Sequence, residues 1–138
     1  VIPQITALIE QVVPANQITV AGFSKGGNMV LVLSALAKNP ELNFVNMAGC
    51  GAGQFRKAYD SILANDATKM QGRMLSLYEE ADTIAGTCDE AAKLGTRLEM
   101  TEEVLTVGAG HGTFYTARPE WLDRIAAWVK AASTPKTK

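Results

Sequence analysis

Histidine is nearly absent from this sequence: 138 residues hold one, His111, together with only two cysteines, Cys50 and Cys88. A structural zinc site takes about four such ligands, so no metal site is expected. Charge of one sign is lacking too. Thirteen Lys and Arg stand against fourteen Asp and Glu, a formal net charge of −1. With no basic excess to neutralise phosphates, nucleic acid is not an expected partner. No apolar run approaches the ~18–20 residues that span a bilayer, and no membrane partner is expected either. Internal repeats, low-complexity blocks and linkers are missing. What is there is 47% hydrophobic and 20% charged, the composition of a globular chain with a real core. The length suits one domain over residues 1–138. The chain opens at Val1 with neither methionine nor a basic-then-apolar leader, consistent with a natural start that has been removed. Localisation is therefore not legible from this end.

Hydrophobic spacing organises the rest. Ile2, Ile5, Leu8, Ile9 and Val12 recur every three or four residues and predict an amphipathic helix over 1–13, with Pro3 tolerated in its first turn. The β-branched run 18–22 predicts a strand. Residues 25–38, apolar nearly all round, predict a buried helix. Asn39-Pro40 breaks the chain before a second strand at 42–48, and Gly49-Cys50-Gly51-Ala52-Gly53 reads as a flexible loop. A weaker helix follows over 54–64, then a strand at 73–78, a helix at 88–98, a short strand at 104–107 and an amphipathic helix over 119–132. The tail from 131 to 138 is polar, broken by Pro135 and expected to fray. Strands alternating with helices predict a mainly parallel α/β sheet of about four strands, with helices on both faces, because each strand returns by a right-handed crossover.

Between the first strand and the buried helix lies Gly22-Phe23-Ser24-Lys25-Gly26, a G-x-S-x-G pattern. A serine at the apex of so tight a turn takes up an unfavourable backbone conformation and has its hydroxyl pushed clear of the sheet. Residues two before and two after then crowd each other, which suits glycine at 22 and 26. The helix that starts after Ser24 aims unpaired N–H groups at the same point, and the Lys25 amide is placed to stabilise an oxyanion. The bare pattern also fits a glycine-rich turn that merely lets strand and helix pack; its strand-to-helix context favours catalysis.

A serine hydroxyl needs a base, and His111 is the one imidazole available. An isolated histidine is more often a surface residue. This one follows the last predicted strand, however, and loops after parallel strands emerge at one carboxyl edge. Gly108, Gly110 and Gly112 let its loop bend inward. A carboxylate to orient the imidazole is sought after the third strand, in Tyr78-Glu79-Glu80-Ala81-Asp82. Asp82 is the choice and Glu80 the runner-up, with Glu79 expected to be solvated. Glu120, at the start of the closing helix, has a capping reason of its own.

Taken together, Gly22-Phe23-Ser24-Lys25-Gly26, Glu80-Ala81-Asp82 and Gly110-His111-Gly112 resemble the nucleophile elbow, acid loop and histidine loop of α/β-hydrolase-fold serine hydrolases, in the family's order. The likeness covers essentially the whole chain and corresponds to the C-terminal part of that fold, with the N-terminal strands missing. The resemblance implies a triad of Ser24, His111 and Asp82, an acyl-enzyme, no metal and no organic cofactor. It implies two deficits as well. The elbow strand is left with a bare edge, which predicts a homodimer that covers it through this strand or the first helix. Two alternatives stay open: the first helix folds over the edge of a monomer, or the chain is a fragment of a longer protein. The second oxyanion donor has no counterpart before Ser24, which predicts slow turnover unless a partner chain or the loop 49–53 supplies one.

Cys50 and Cys88 both fall in loops near the active-site edge. A disulfide bracing the acid loop, implying an oxidising compartment, and two free thiols are both open. Phe23, Phe114 and Tyr115 are candidates to line an acyl pocket, although aromatics beside a catalytic loop more often serve packing. The expected substrate is a small or short-chain carboxylic ester. Thioester hydrolysis would use the same groups, and the rival reading is a hydrolase-like binding module without turnover.

Overall fold

The structure, a computed structural model, describes residues 1–134. Its elements run α1 (Ile2–Glu10), β1 (Thr19–Phe23), α2 (Lys25–Leu36), β2 (Asn43–Met47), α3 (Arg56–Asp66), β3 (Gln71–Glu79), α4 (Asp89–Leu94), β4 (Arg97–Leu105) and α5 (Pro119–Ala132). All four strands are parallel and lie in the order β1-β2-β3-β4. Consecutive right-handed crossovers that add strands in one direction deposit their helices on one face. Accordingly α1, α2, α3 and α4 share a core that contains Ile5, Leu31, Tyr59 and Ala91 over Phe44 and Met74. On the opposite face, Trp121, Ile125 and Trp128 of α5 pack against Val45, Leu75, Leu77 and Leu105.

The alternation along β2 and β3 serves both cores: Phe44 and Met74 face one way, Val45 and Leu75 the other. Strands covered on both faces read as near-continuous apolar runs. Each fully buried Leu, Met or Phe contributes about 1.5–3 kcal/mol, so these two central strands anchor the molecule.

Three expectations about elements need correction. The last strand spans Arg97–Leu105 rather than 104–107, and pairs along the whole length of β3 from Gln71↔Arg97 to Glu79↔Leu105. Its charges hide it: Arg97, Glu99, Glu102 and Glu103 interrupt the apolar set, as suits a strand at a sheet edge. The helix expected over 88–98 stops at Leu94, where Gly95 takes over as the cap and its N–H closes on the Ala91 carbonyl at 2.8 Å. Leu98 instead turns into the core from β4. The loop 49–53 is packed rather than flexible. Gly49 and Cys50 are buried, the Ala52 N–H donates to the Ile84 carbonyl (3.0 Å), and the Gly86 N–H donates to the Cys50 carbonyl (2.9 Å). Of the tail expected to fray, residues 131 and 132 close α5, and 135–138 lie outside the described residues. No helix among the described residues is long and apolar enough to cross a membrane.

Candidate active site

Ser24 stands at the junction of β1 and α2 with φ +55° and ψ −116°, a region a side-chain-bearing residue seldom enters. Two contacts hold it there. Its own N–H donates to the Met47 carbonyl at 2.8 Å, and its carbonyl accepts the Asn28 N–H at 3.0 Å as the first bond of α2. Serine at a helix N-cap ordinarily turns its hydroxyl onto the helix N–H groups. Here the hydroxyl makes no such bond and projects outward. Gly22 is required sterically, since a Cβ there would overlap the Gly26 carbonyl and meet Val30 Cγ2 at 2.9 Å. Gly26 is not constrained in this way: a Cβ on it meets nothing within 4 Å. The second close approach is one residue on. A Cβ on Gly27 would meet Gly49 Cα at 2.7 Å, so α2 and the loop after β2 touch backbone to backbone.

His111 lies in a 3-10 turn, Gly110–Phe114, beyond β4. Its Nε2 is 2.8 Å from Ser24 Oγ, and its Nδ1 is 2.7 Å from Asp82 Oδ2. An ionised carboxylate only accepts hydrogen bonds, so the proton resides on Nδ1 and the Nε2 lone pair receives the Ser24 hydroxyl. The Asp82 side chain is fully buried and His111 is 14% exposed. Asp82 Oδ1 is occupied separately, accepting the N–H groups of Ile84 (2.9 Å) and Ala85 (3.0 Å). The carboxylate is thus fixed in rotation independently of the imidazole. Glu80 is exposed.

The aromatic candidates take the packing role rather than the pocket-lining one. Phe23, Phe114 and Tyr115 are not in the cavity beside Ser24. The Phe23 ring lies 4.9 Å from the His111 ring and 5.4 Å from Phe114, and Tyr115 meets both Phe23 and His111 edge-on. Phe23 and Tyr115 thus pack on the imidazole, and Phe114 backs Phe23. The cavity, about 240 Å³, opens between Ser24 and His111 and is walled by Lys25, Asn28, Gly49, Phe55, Ala58 and Ile84. In the sequence Phe55 reads only as part of a helix's apolar set and Ile84 carries no signal, because their meeting at the cavity depends on the fold.

That meeting is enforced covalently. Cys50 and Cys88 form a disulfide, with Cα atoms 5.3 Å apart. Asn46 Nδ2 lies 3.6 Å and 3.5 Å from the two sulfurs, and the Ser76 hydroxyl donates to Cys88 Sγ at 3.1 Å. Across the same seam Gly51 and Ala85 form an antiparallel bridge. The Asn28 side-chain amide also bonds to the Gly49 carbonyl. The pocket wall is therefore tied to α2 on one side and to the segment after Asp82 on the other.

Glu79 overturns its expectation most clearly. It is fully buried, not solvated. Its Oε1 accepts the Gly108 N–H (2.9 Å), and its Oε2 accepts the N–H groups of Gly110 (2.8 Å) and Ala81 (3.1 Å). A signal existed: strand alternation puts Glu79 in line with Leu75 and Leu77, which face the α5 core.

No protein-family model matches the chain, and no curated protein sequence matches it. Solved structures do. SOBER1 of Arabidopsis thaliana is similar at TM-score 0.62 and 17% identity, over 96% of this chain and 63% of that one. A putative dienelactone hydrolase from Klebsiella pneumoniae is similar at TM-score 0.61 and 19% identity, over 91% and 57%. An esterase of Pyrobaculum calidifontis is similar at TM-score 0.62 and 17% identity, over 96% and 58%. The chain thus spans less than two thirds of each of these proteins. Its fold is the α/β-hydrolase fold in truncated form, with a four-stranded parallel sheet.

Proposed function

We propose that this chain is a serine hydrolase that cleaves small carboxylic esters through an acyl-enzyme. The observation that carries the reading is the unbroken relay Ser24 Oγ, His111 Nε2, His111 Nδ1, Asp82 Oδ2 at the mouth of one cavity. In this reading Ser24 Oγ attacks the acyl carbon while His111 Nε2 takes its proton. The imidazolium so formed is stabilised by Asp82, and the tetrahedral oxyanion by the Lys25 N–H at the start of α2. The carbon–oxygen bond to the alcohol breaks as His111 returns the proton to it. Water, deprotonated by His111, then attacks the acyl-enzyme and releases the acid. The cavity size and its Phe55, Ala58 and Ile84 wall suit a short apolar acyl or alcohol group. The hydrolases and esterases among the similar structures support the general class.

A fluorophosphonate probe tests the reading. We expect one adduct, mapped to the peptide that contains Ser24, and none in Ser24→Ala. An unmodified parent protein favours a binding module without turnover. With a single oxyanion N–H identified, turnover is expected roughly 100- to 1,000-fold below that of a site with two donors.

The edge of β1 motivates a second part of the proposal, a homodimer. β1 has no strand on its outer side among the described residues. Leu8, Ile9 and Val12 at and after α1, with Met29 and Leu36 of α2, remain exposed.

A further inference from the structure

We infer that Glu79 is a positioning residue for His111: a second buried carboxylate that sets where the histidine loop stands relative to Asp82. The inference rests on the Ser24–His111–Asp82 reading above. A carboxylate out of contact with water is costly unless its oxygens are satisfied. At the end of β3, an apolar side chain in line with Leu75 and Leu77 would serve packing alone. Glu79 instead receives three N–H groups, the kind of charge-assisted bonding that stabilises an ionised carboxylate.

The three donors share a feature. Gly108 and Gly110 lie three residues and one residue before His111, and Ala81 immediately precedes Asp82. One side chain therefore joins the loop that carries the base to the loop that carries the acid. The backbone of the histidine loop is shaped for it. Gly108 (φ +77°) and Gly110 (φ +53°) flank Ala109 (φ −101°, ψ 3°), the alternation of left- and right-handed conformations that turns successive N–H groups into an anion-binding concavity. Here the protein fills that concavity with its own carboxylate. Gly110 has no slack on the other side, because a Cβ there would lie 3.2 Å from the Ala81 carbonyl.

The consequence is kinetic. Misplacing a catalytic group by about 1 Å costs on the order of 100-fold in rate. Glutamine at 79 keeps the shape but offers one acceptor oxygen and sets an NH2 group against N–H donors. Glu79→Gln is therefore expected to lower kcat for p-nitrophenyl acetate about 10- to 100-fold per titrated active site, with KM changed less than threefold. Its fluorophosphonate labelling should slow in parallel. Glu79→Asp, which keeps the charge on a shorter arm, should fall between the two.

If the parent is labelled on Ser24 and Glu79→Gln reacts within twofold of it, the role of Glu79 is overturned and the triad reading stands. A parent that is not labelled overturns the triad reading, and this inference with it. Should Glu79→Gln fail to fold, hydrogen exchange in the parent decides. Gly108 and Gly110 amides protected to the level of β3 support the anchor, and exchange at the rate of an open loop removes it.

Discussion

At Ser24 the backbone holds a conformation that costs about 1–3 kcal/mol in a residue with a side chain, and glycine would escape most of that cost. Ser24→Gly is expected to unfold about 2–6 °C above Ser24→Ala, even after allowing for glycine's larger unfolded-state entropy. Both variants lack the hydroxyl, so the comparison isolates strain. Equal melting temperatures by calorimetry would show that the turn stores none. Asp82 permits a sharper argument. Its Oδ1 is held by two N–H groups, so in Asp82→Asn the amide oxygen keeps that place and the NH2 points at His111 Nδ1. The imidazole must then carry its proton on Nε2 and has no lone pair for the Ser24 hydroxyl. Ester hydrolysis should drop about 1,000- to 10,000-fold with little change in stability. A loss below tenfold in steady-state kinetics would contradict the tautomer argument.

Among the elements, the strand-to-helix turn and the closing helix could be located from the chain alone, because local chemistry dictates them. Gly22 and Ser24 mark the turn, and Pro119 opens α5 where its missing N–H is harmless. The edge strand β4 was legible only at its apolar end, since charges that protect an edge also disguise it. The loop 49–53 departs from its expectation for a different reason. Glycines announce freedom in a sequence, yet Gly49 is there to let α2 come close, and Cys50 is cross-linked. The disulfide closes a separation of 38 residues, and chain-entropy reasoning gives about 3–4 kcal/mol of stabilisation. Reduction should therefore move the urea midpoint down by an amount equivalent to that energy. It should also loosen the pocket wall, raising KM for p-nitrophenyl acetate more than it lowers kcat. A reduced protein with an unchanged midpoint would mean that the bonds between loop 49–53 and residues 84–86 suffice without it.

For the molecule as a whole, asymmetry is the governing feature. One sheet edge ends in the charged β4, and the other exposes β1 beside the apolar residues of α1 and α2. Uncovered edges next to apolar surface are pairing sites, and a two-fold axis is the simplest way to cover one. Light scattering at micromolar concentration should return twice the 14.7 kDa chain mass. Lys replacing Ala21, whose side chain is exposed on β1, should shift the protein towards monomer. A parent already monomeric at that concentration removes the dimer.

By itself the sequence determined the parallel α/β order and the tight strand-to-helix turn at Ser24, because alternation, helical period and turn chemistry act over a few neighbouring residues. Only the tertiary structure decided that Glu79 is buried, that Phe23 and Tyr115 pack on the imidazole with Phe114 behind Phe23, and that Cys50 reaches Cys88. Each of those outcomes depends on contacts between segments tens of residues apart. Whether a carboxylate is solvated or held by three amides is set by which loop lands on it, and no local pattern along the chain encodes that.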